Sequence, residues 1–293
     1  MNPLAARLEH GLVPAVPVPF SGRTLRHDAL AAYAAWMRGR AVAGVAVSVH
    51  TGRGRHLGRE ERARVLRTWR EALPDRVVIA GAWDEASAAE ARDGGADALL
   101  AFPTAPDPIR HHERLGRILP VVVFYLYEAA GGVGYDPATL RALLRLPEVI
   151  GIKVATLDSV MTFQEIARLM DDFPDRLLIT GEDRFLGYSL LLGARAALIG
   201  LGAAATELQV ELLRAHACGD WGRFVRLSKC CDRLAQATFT PPMEGYVRRM
   251  LWAAAADGAL PDDACDDPWG PALEPAERER VRRAVRDARA ACG

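Results

Sequence analysis

The sequence predicts an α/β fold, a (β/α)₈ TIM barrel carrying a C-terminal helical extension. Three observations predict it. Apolar runs of strand length alternate with segments of helical composition from residue 13 onward. The runs are apolar throughout, the pattern of parallel strands buried on both faces by helices. Eight such units fill the first 218 residues, the count and span of a closed barrel. A doubly wound open sheet is the alternative, but it more often has fewer strands.

The elements follow in order. Strands are expected at residues 13–20, 43–49, 76–82, 96–102, 120–127, 149–155, 176–180 and 196–201. Helices are expected between them at 26–38, 60–72, 84–92, 108–118, 137–146, 159–171 and 183–192, with an eighth from Thr206. The punctuation agrees: Gly94-Gly95 and Gly193 end helices, and Pro137 opens one. Beyond residue 218 the strand signals stop, and 221–235, 244–256 and 275–291 read as three further helices. Residues 1–218 are thus expected to form the barrel and 219–293 a three-helix extension packed on it.

Composition excludes several classes of function. Formal net charge is zero and there is no basic stripe with interleaved aromatics, which argues against nucleic acid as a partner. No apolar run approaches the roughly 18 residues of a membrane span, and the N-terminus lacks the apolar core of a signal peptide. The five cysteines, at 218, 230, 231, 265 and 292, have no metal-ligand spacing and fit a reduced, cytoplasmic protein. His111-His112-Glu113 is not read as a metal site, because adjacent helical residues point about 100° apart. A solvated helix face is expected there.

Lys153 is the chemical centre of the reading. Of the 37 basic residues only Lys153 and Lys229 are lysine, and Lys153 stands inside the apolar run Val149-Ile-Gly-Ile-Lys-Val-Ala155. Arginine keeps its proton in a protein, whereas a buried lysine can lose it and become a nucleophile toward a carbonyl. A core ion-paired lysine is the bland alternative. Alternation puts Gly151 and Ala155 on the lysine's side, leaving room for a ligand.

Barrel active sites lie at the C-terminal ends of the strands. That rule independently selects His50-Thr51-Gly52-Arg53 after strand two and Thr104 after strand four. It also selects Tyr125 and Tyr127 at the end of strand five, Thr156 after strand six and Gly181-Glu182-Asp183 after strand seven. Gly181 is expected to face the substrate. His50 and Thr51 suit carboxylate binding, although Thr-Gly equally suits a turn. Either tyrosine could move protons beside an imine, or simply pack.

At these residues the sequence resembles the dihydrodipicolinate synthase and N-acetylneuraminate lyase family of class I aldolases. The likeness runs through Pro14-Ala-Val-Pro-Val-Pro-Phe20, Gly44-Val-Ala-Val-Ser-Val-His-Thr-Gly52, Gly95-Ala-Asp-Ala-Leu-Leu-Ala-Phe-Pro103, Gly151-Ile-Lys153 and Pro242-Met-Glu-Gly-Tyr-Val247. The resemblance implies an imine between Lys153 and pyruvate or another 2-oxo (sugar) acid, with no metal or organic cofactor. It selects Tyr125, 28 residues before the lysine, as the proton relay. It implies that His50 and Thr51 bind the carboxylate, that the backbone near Leu198 and Ile199 lines the pocket, and that the protein is a homotetramer or dimer.

The chain departs from the family where substrates differ. His50 replaces a threonine, Arg53 replaces a glutamate, Val18 replaces a threonine, and Ala130 stands where the synthases hold the second substrate with an arginine. The expected activity is therefore a Schiff-base lyase, aldolase or dehydratase. A true 4-hydroxy-tetrahydrodipicolinate synthase and a non-catalytic 2-oxo acid binder are the alternatives.

Overall fold

The structure, a computed structural model, describes residues 2–157 and 159–291; Cys292 lies outside them. Eight parallel strands, numbered one to eight, are Leu12–Pro14, Gly44–Val47, Val77–Ala82, Ala98–Ala101, Val121–Leu126, Val149–Ala155, Leu177–Thr180 and Ala196–Ile199. Strand one pairs with eight, and pairing continues in descending order to strand two. The ring closes where Val16 N–H donates to Ala46 O at 3.1 Å and Ala43 N–H donates to Leu12 O at 2.9 Å. The chain is a (β/α)₈ barrel.

Every residue of strands two, three, four and six is buried, as the unbroken apolar runs require. Side chains alternate between two apolar clusters. One fills the barrel interior and includes Val13, Ala46, Ile79, Leu100, Phe124 and Leu198. The other lies between strands and helices and includes Val45, Val78, Leu99, Val123, Val154 and Ile199.

Strand one is shorter than its apolar run, because Pro14, Pro17 and Pro19 offer no N–H to a ladder. The run ends instead in an antiparallel hairpin of Phe20–Ser21 with Thr24–Leu25. Helix α1 (Pro3–Leu8), which the periodicity does not announce, is capped by Asn2 and buries Ala5 and Leu8. Both join the interior cluster, so α1 plugs the barrel floor.

Helices α2 (His27–Arg38) to α9 (Thr206–Ala217) surround the strands: α3 (Arg59–Ala72), α4 (Glu85–Asp93), α5 (Pro108–Gly116), α6 (Pro137–Arg145), α7 (Val160–Met170) and α8 (Leu186–Leu191). In α5 the histidine pair corrects the expected solvated face. His111 and His112 are both buried, and the His112 ring meets Pro108 O at 2.7 Å and packs edge-on to Tyr135. Among the described residues no His/Cys/Asp/Glu group could hold a metal ion.

Three helices follow: α10 (Trp221–Thr238), α11 (Tyr246–Ala256) and α12 (Pro275–Ala290). Leu234, Leu251 and Val281 share the outer cluster with Leu208 and Leu212 of α9. Helix α11 begins at Tyr246, after a short 3₁₀ turn at Met243–Gly245. That turn brings the α10–α11 connection to the C-terminal mouth of the barrel, where it meets the loop after strand two.

Candidate active site

Lys153 is 7% exposed and stands on strand six opposite Phe124 of strand five. Its Nζ lies 4.3 Å from the centroid of the Phe124 ring, a favourable cation–π placement when protonated. A cavity of about 50 Å³ opens above the amine, lined among others by His50, Thr51, Tyr127, Gly181, Gly200 and Tyr246. Burial pulls the lysine down to about 8, partly offset by the negative charges of Asp183 and Glu182. Near neutral pH the amine therefore spends a chemically useful fraction of its time unprotonated.

Gly181, at the end of strand seven, makes room for the lysine. A Cβ there would stand 2.6 Å from Lys153 Cε and 2.9 Å from Val154 O. The two residues that follow are carboxylates fixed by backbone donors. Glu182 accepts from Thr156 N–H at 2.5 Å, Thr156 Oγ1 at 2.9 Å and Leu157 N–H at 3.2 Å. Asp183 accepts from Leu201 N–H at 2.7 Å. Burial pushes each carboxyl up to about 7 against those hydrogen bonds.

The loop after strand two forms the opposite wall. Ser48 and Arg53 hold left-handed backbone, with φ of 53° and 51°. The loop folds back so closely that a Cβ at Gly54 would stand 1.9 Å from Ser48 O. The N–H groups of His50 and Thr51 take no partner among the described residues, so both are available to a carboxylate. Tyr246 closes this wall from α11, its hydroxyl 2.9 Å from His50 Nδ1 and 3.1 Å from Thr51 Oγ1. Its ring stacks on Phe239 at 4.8 Å. Burial pulls the His50 imidazole down to about 4, outweighing the Glu244 charge, so the ring is neutral at neutral pH.

Arg53 ties the loop to the extension. Its guanidinium makes two hydrogen bonds to Asp267, at 3.1 and 2.6 Å, and two to Glu244, at 3.0 Å to the carboxylate and 3.2 Å to the backbone carbonyl. Asp267 is 1% exposed along its side chain, so this is a buried ion pair with its donors matched.

Tyr125 does not reach the cavity, which corrects the relay assignment. Strands five and six pair Val121 with Val149 but Val122 with Gly151, so the offset grows from 28 to 29 residues at a β-bulge. Phe124 thus stands opposite Lys153, and Tyr125 turns to the outer face beside Val154. Burial there raises its hydroxyl pKa, with further push from Glu128 and from Glu165 of α7. Tyr127, beyond the strand end, lines the cavity instead. Leu198 packs in the interior cluster and Ile199 in the outer one, and the cavity is met one residue later, at Gly200. His50, Thr51, Lys153 and Gly181 are brought together around one cavity.

Residues 9–288 match the Dihydrodipicolinate synthetase family. The chain belongs to that family. A 4-hydroxy-tetrahydrodipicolinate synthase from Hyphomonas neptunium is 30% identical over 260 residues, covering 83% of this chain and 87% of the relative. Among solved structures, dihydrodipicolinate synthase from Agrobacterium tumefaciens superposes with a TM-score of 0.83 at 24% identity, covering 97% of this chain and 99% of that one. A prophage protein of the dihydrodipicolinic acid synthase family from E. coli K12, in complex with pyruvate, superposes with a TM-score of 0.83 at 22% identity, covering 95% and 98%. The dihydrodipicolinate synthetase family consists of class I pyruvate-dependent lyases.

Tyr246, which lines this cavity, and Glu244, which lines the neighbouring one, are residues that the local sequence does not single out. Both lie in Pro242–Val247, a stretch that carries the family likeness, but nothing local announces that it reaches residue 50.

Proposed function

We propose that the protein is a Schiff-base lyase, aldolase or dehydratase that binds pyruvate or a longer 2-oxo acid as an imine on Lys153. The supporting observation is the amine itself: desolvated, poised over Phe124 and facing an open cavity. The nitrogen pair attacks C2 of the 2-oxo acid, and the carbonyl oxygen takes up protons and leaves as water. The resulting protonated imine withdraws electrons from C3. A C3–C4 bond, or a C3–H bond with a leaving hydroxyl beyond it, then breaks through an enamine.

The size of the site supports a small reacting head. About 50 Å³ holds roughly three or four water-sized spheres, which suits the three carbons of a pyruvyl group. Its carboxylate would meet the free N–H groups of His50 and Thr51. A second cavity of about 420 Å³ shares His50 with the first and is lined by Arg55, His56, Ala130 and Trp269. It would take the remainder of a longer substrate. Ala130 there disfavours a synthase using an arginine at that point. The homo-oligomer is retained as a proposal, favoured by the exposed Met161, Leu191 and Trp221 on α7, α8 and α10. Sedimentation velocity reads it directly.

Borohydride reduction in the presence of pyruvate, followed by peptide mass spectrometry, tests the chemistry. A reduced pyruvyl adduct on Lys153 is expected. Its absence with pyruvate and with a panel of longer 2-oxo acids would overturn the reading.

A further inference from the structure

An imine on Lys153 needs a partner that takes and returns a proton. Directly opposite the amine stands Phe124, which has none to give. Besides the lysine and Arg184, whose guanidinium keeps its proton, the titratable side chains that line the cavity are His50, Tyr127, Glu182, Asp183 and Tyr246. The two carboxylates are held by backbone N–H donors. For Tyr127 no hydrogen-bonded route onward is present among the described residues.

Tyr246 is hydrogen-bonded onward to His50, whose ring in turn faces a carboxylate. The Tyr246 hydroxyl contacts His50 Nδ1 at 2.9 Å, and His50 Nε2 faces Glu244 Oε1 at 3.6 Å. The Glu244 side chain is 40% exposed and so connects the line to solvent. Ring stacking fixes the order of the parts. The imidazole lies near-parallel to the Tyr246 ring, at 19° and 5.9 Å, and that ring stacks in turn on Phe239. Arg53 holds the other Glu244 oxygen at 3.0 Å, keeping the carboxylate aimed. The tautomer with hydrogen on Nε2 points that hydrogen at Glu244 and leaves Nδ1 to accept from Tyr246. Thr51 Oγ1, at 3.1 Å, can then donate to the same phenol oxygen.

We propose that Tyr246, His50 and Glu244 form the proton relay of the Lys153 imine, with the Tyr246 hydroxyl touching the substrate. The inference rests on the imine chemistry proposed above and names the group that completes it. A proton leaving C3 of the imine, or a C4 hydroxyl during cleavage, passes to the Tyr246 oxygen as that oxygen's own proton passes to His50 Nδ1. When C3–H breaks, its bond pair forms C2=C3; in cleavage the O–H pair forms C4=O and the C3–C4 pair forms C2=C3, and in both cases the C=N π pair moves to nitrogen. The imidazolium is held by Glu244. In the reverse sense the proton returns through Tyr246 to C3 of the enamine, restoring the neutral ring. A neutral His50, which its burial secures, is the form this cycle starts from.

The test separates imine formation from proton movement. In D2O with pyruvate, exchange of the C3 hydrogens is followed by proton NMR, with borohydride trapping in parallel. Wild-type protein is expected to do both. Tyr246→Phe keeps the ring stack and is expected to give the Lys153 adduct within about threefold while exchange slows by about 10² to 10⁴. His50→Gln, which retains a hydrogen-bond acceptor but no base, is expected to show the same split through a second residue. Tyr125→Phe, on the outer face, serves as the unaffected control. Exchange within threefold of wild type in both Tyr246→Phe and His50→Gln overturns the relay. So does loss of adduct and exchange together in a folded variant, which would make the pair a binding device. A wild-type protein that gives no adduct with pyruvate or with the longer 2-oxo acids overturns the imine reading itself, and is distinguishable because it precedes any substitution.

Discussion

The floor and the rim of the pocket draw on different distances along the chain. Lys153, Gly181, Glu182 and Asp183 sit on or just past two neighbouring strands, and strand order alone brings them together. His50, Thr51 and Arg53 instead meet Tyr246, Glu244 and Asp267, which lie 191 to 214 residues away. The floor is a product of barrel periodicity. The rim is a product of polar pairing between the barrel and its extension. Two kinds of change should therefore have separable effects: floor substitutions alter the nucleophile, and rim substitutions alter proton traffic or stability while leaving the amine in place.

The largest effect belongs to the floor. Lys153→Ala is expected to lower turnover of any imine-dependent substrate by about 10⁴-fold or more, and to abolish the borohydride adduct. In the wild type the neutral amine accumulates as pH rises through the lysine's own ionisation. Adduct formation should climb with pH through a midpoint near 8, where burial has brought the lysine, and level off above it. A midpoint only at about 10 would mean an amine still in water.

Next comes the rim clamp. Arg53→Met leaves Asp267 buried without its partner, and about 3 to 5 kcal/mol of unfolding free energy should be lost. Urea unfolding measures it, and adding Asp267→Leu should restore part of the loss. A cost under about 1 kcal/mol would show that the pair does not hold the rim. A subtler floor change, Gly181→Ala, forces Lys153 to shift and should lower turnover about 10²-fold with the fold intact. Circular dichroism and steady-state kinetics on one preparation separate the two. The smallest effect is Tyr125→Phe, expected within about twofold of wild type on turnover. A loss of 10²-fold would return the outer-face tyrosine to the chemistry and break the contrast.

The same contrast explains what could be read in advance. The eight strands, the lysine and the glycine beside it follow from local apolar runs and from alternation, which a single sequence displays. The bulge in strand six has no such display. Ile150 looks like any other strand residue, yet the extra position it supplies moves Tyr125 outward and brings Phe124 over the amine. Tyr246 lay in a stretch already notable for its likeness, but its partner at His50 depends on how α11 crosses the barrel mouth. Helix α1 spans only 6 residues, too few to build a periodic pattern, and its one signal is the Asn2-Pro3 start. The burial of the histidine pair of α5 is not legible in the sequence, because a polar residue type says less about burial than the packing around it.

The Arg53–Asp267 pair also sets an order of events during synthesis. The barrel strands end at Ile199, so a nascent chain can assemble its sheet while the acidic loop around residue 267 is still inside the ribosome. At that stage the guanidinium lacks Asp267, and the loop carrying His50 and Thr51 lacks its contacts with the extension. A prematurely terminated product would then own a lysine on a strand but no finished wall around it. The reactive amine would be matched with its surroundings only when the segment from Glu244 to Asp267 arrives.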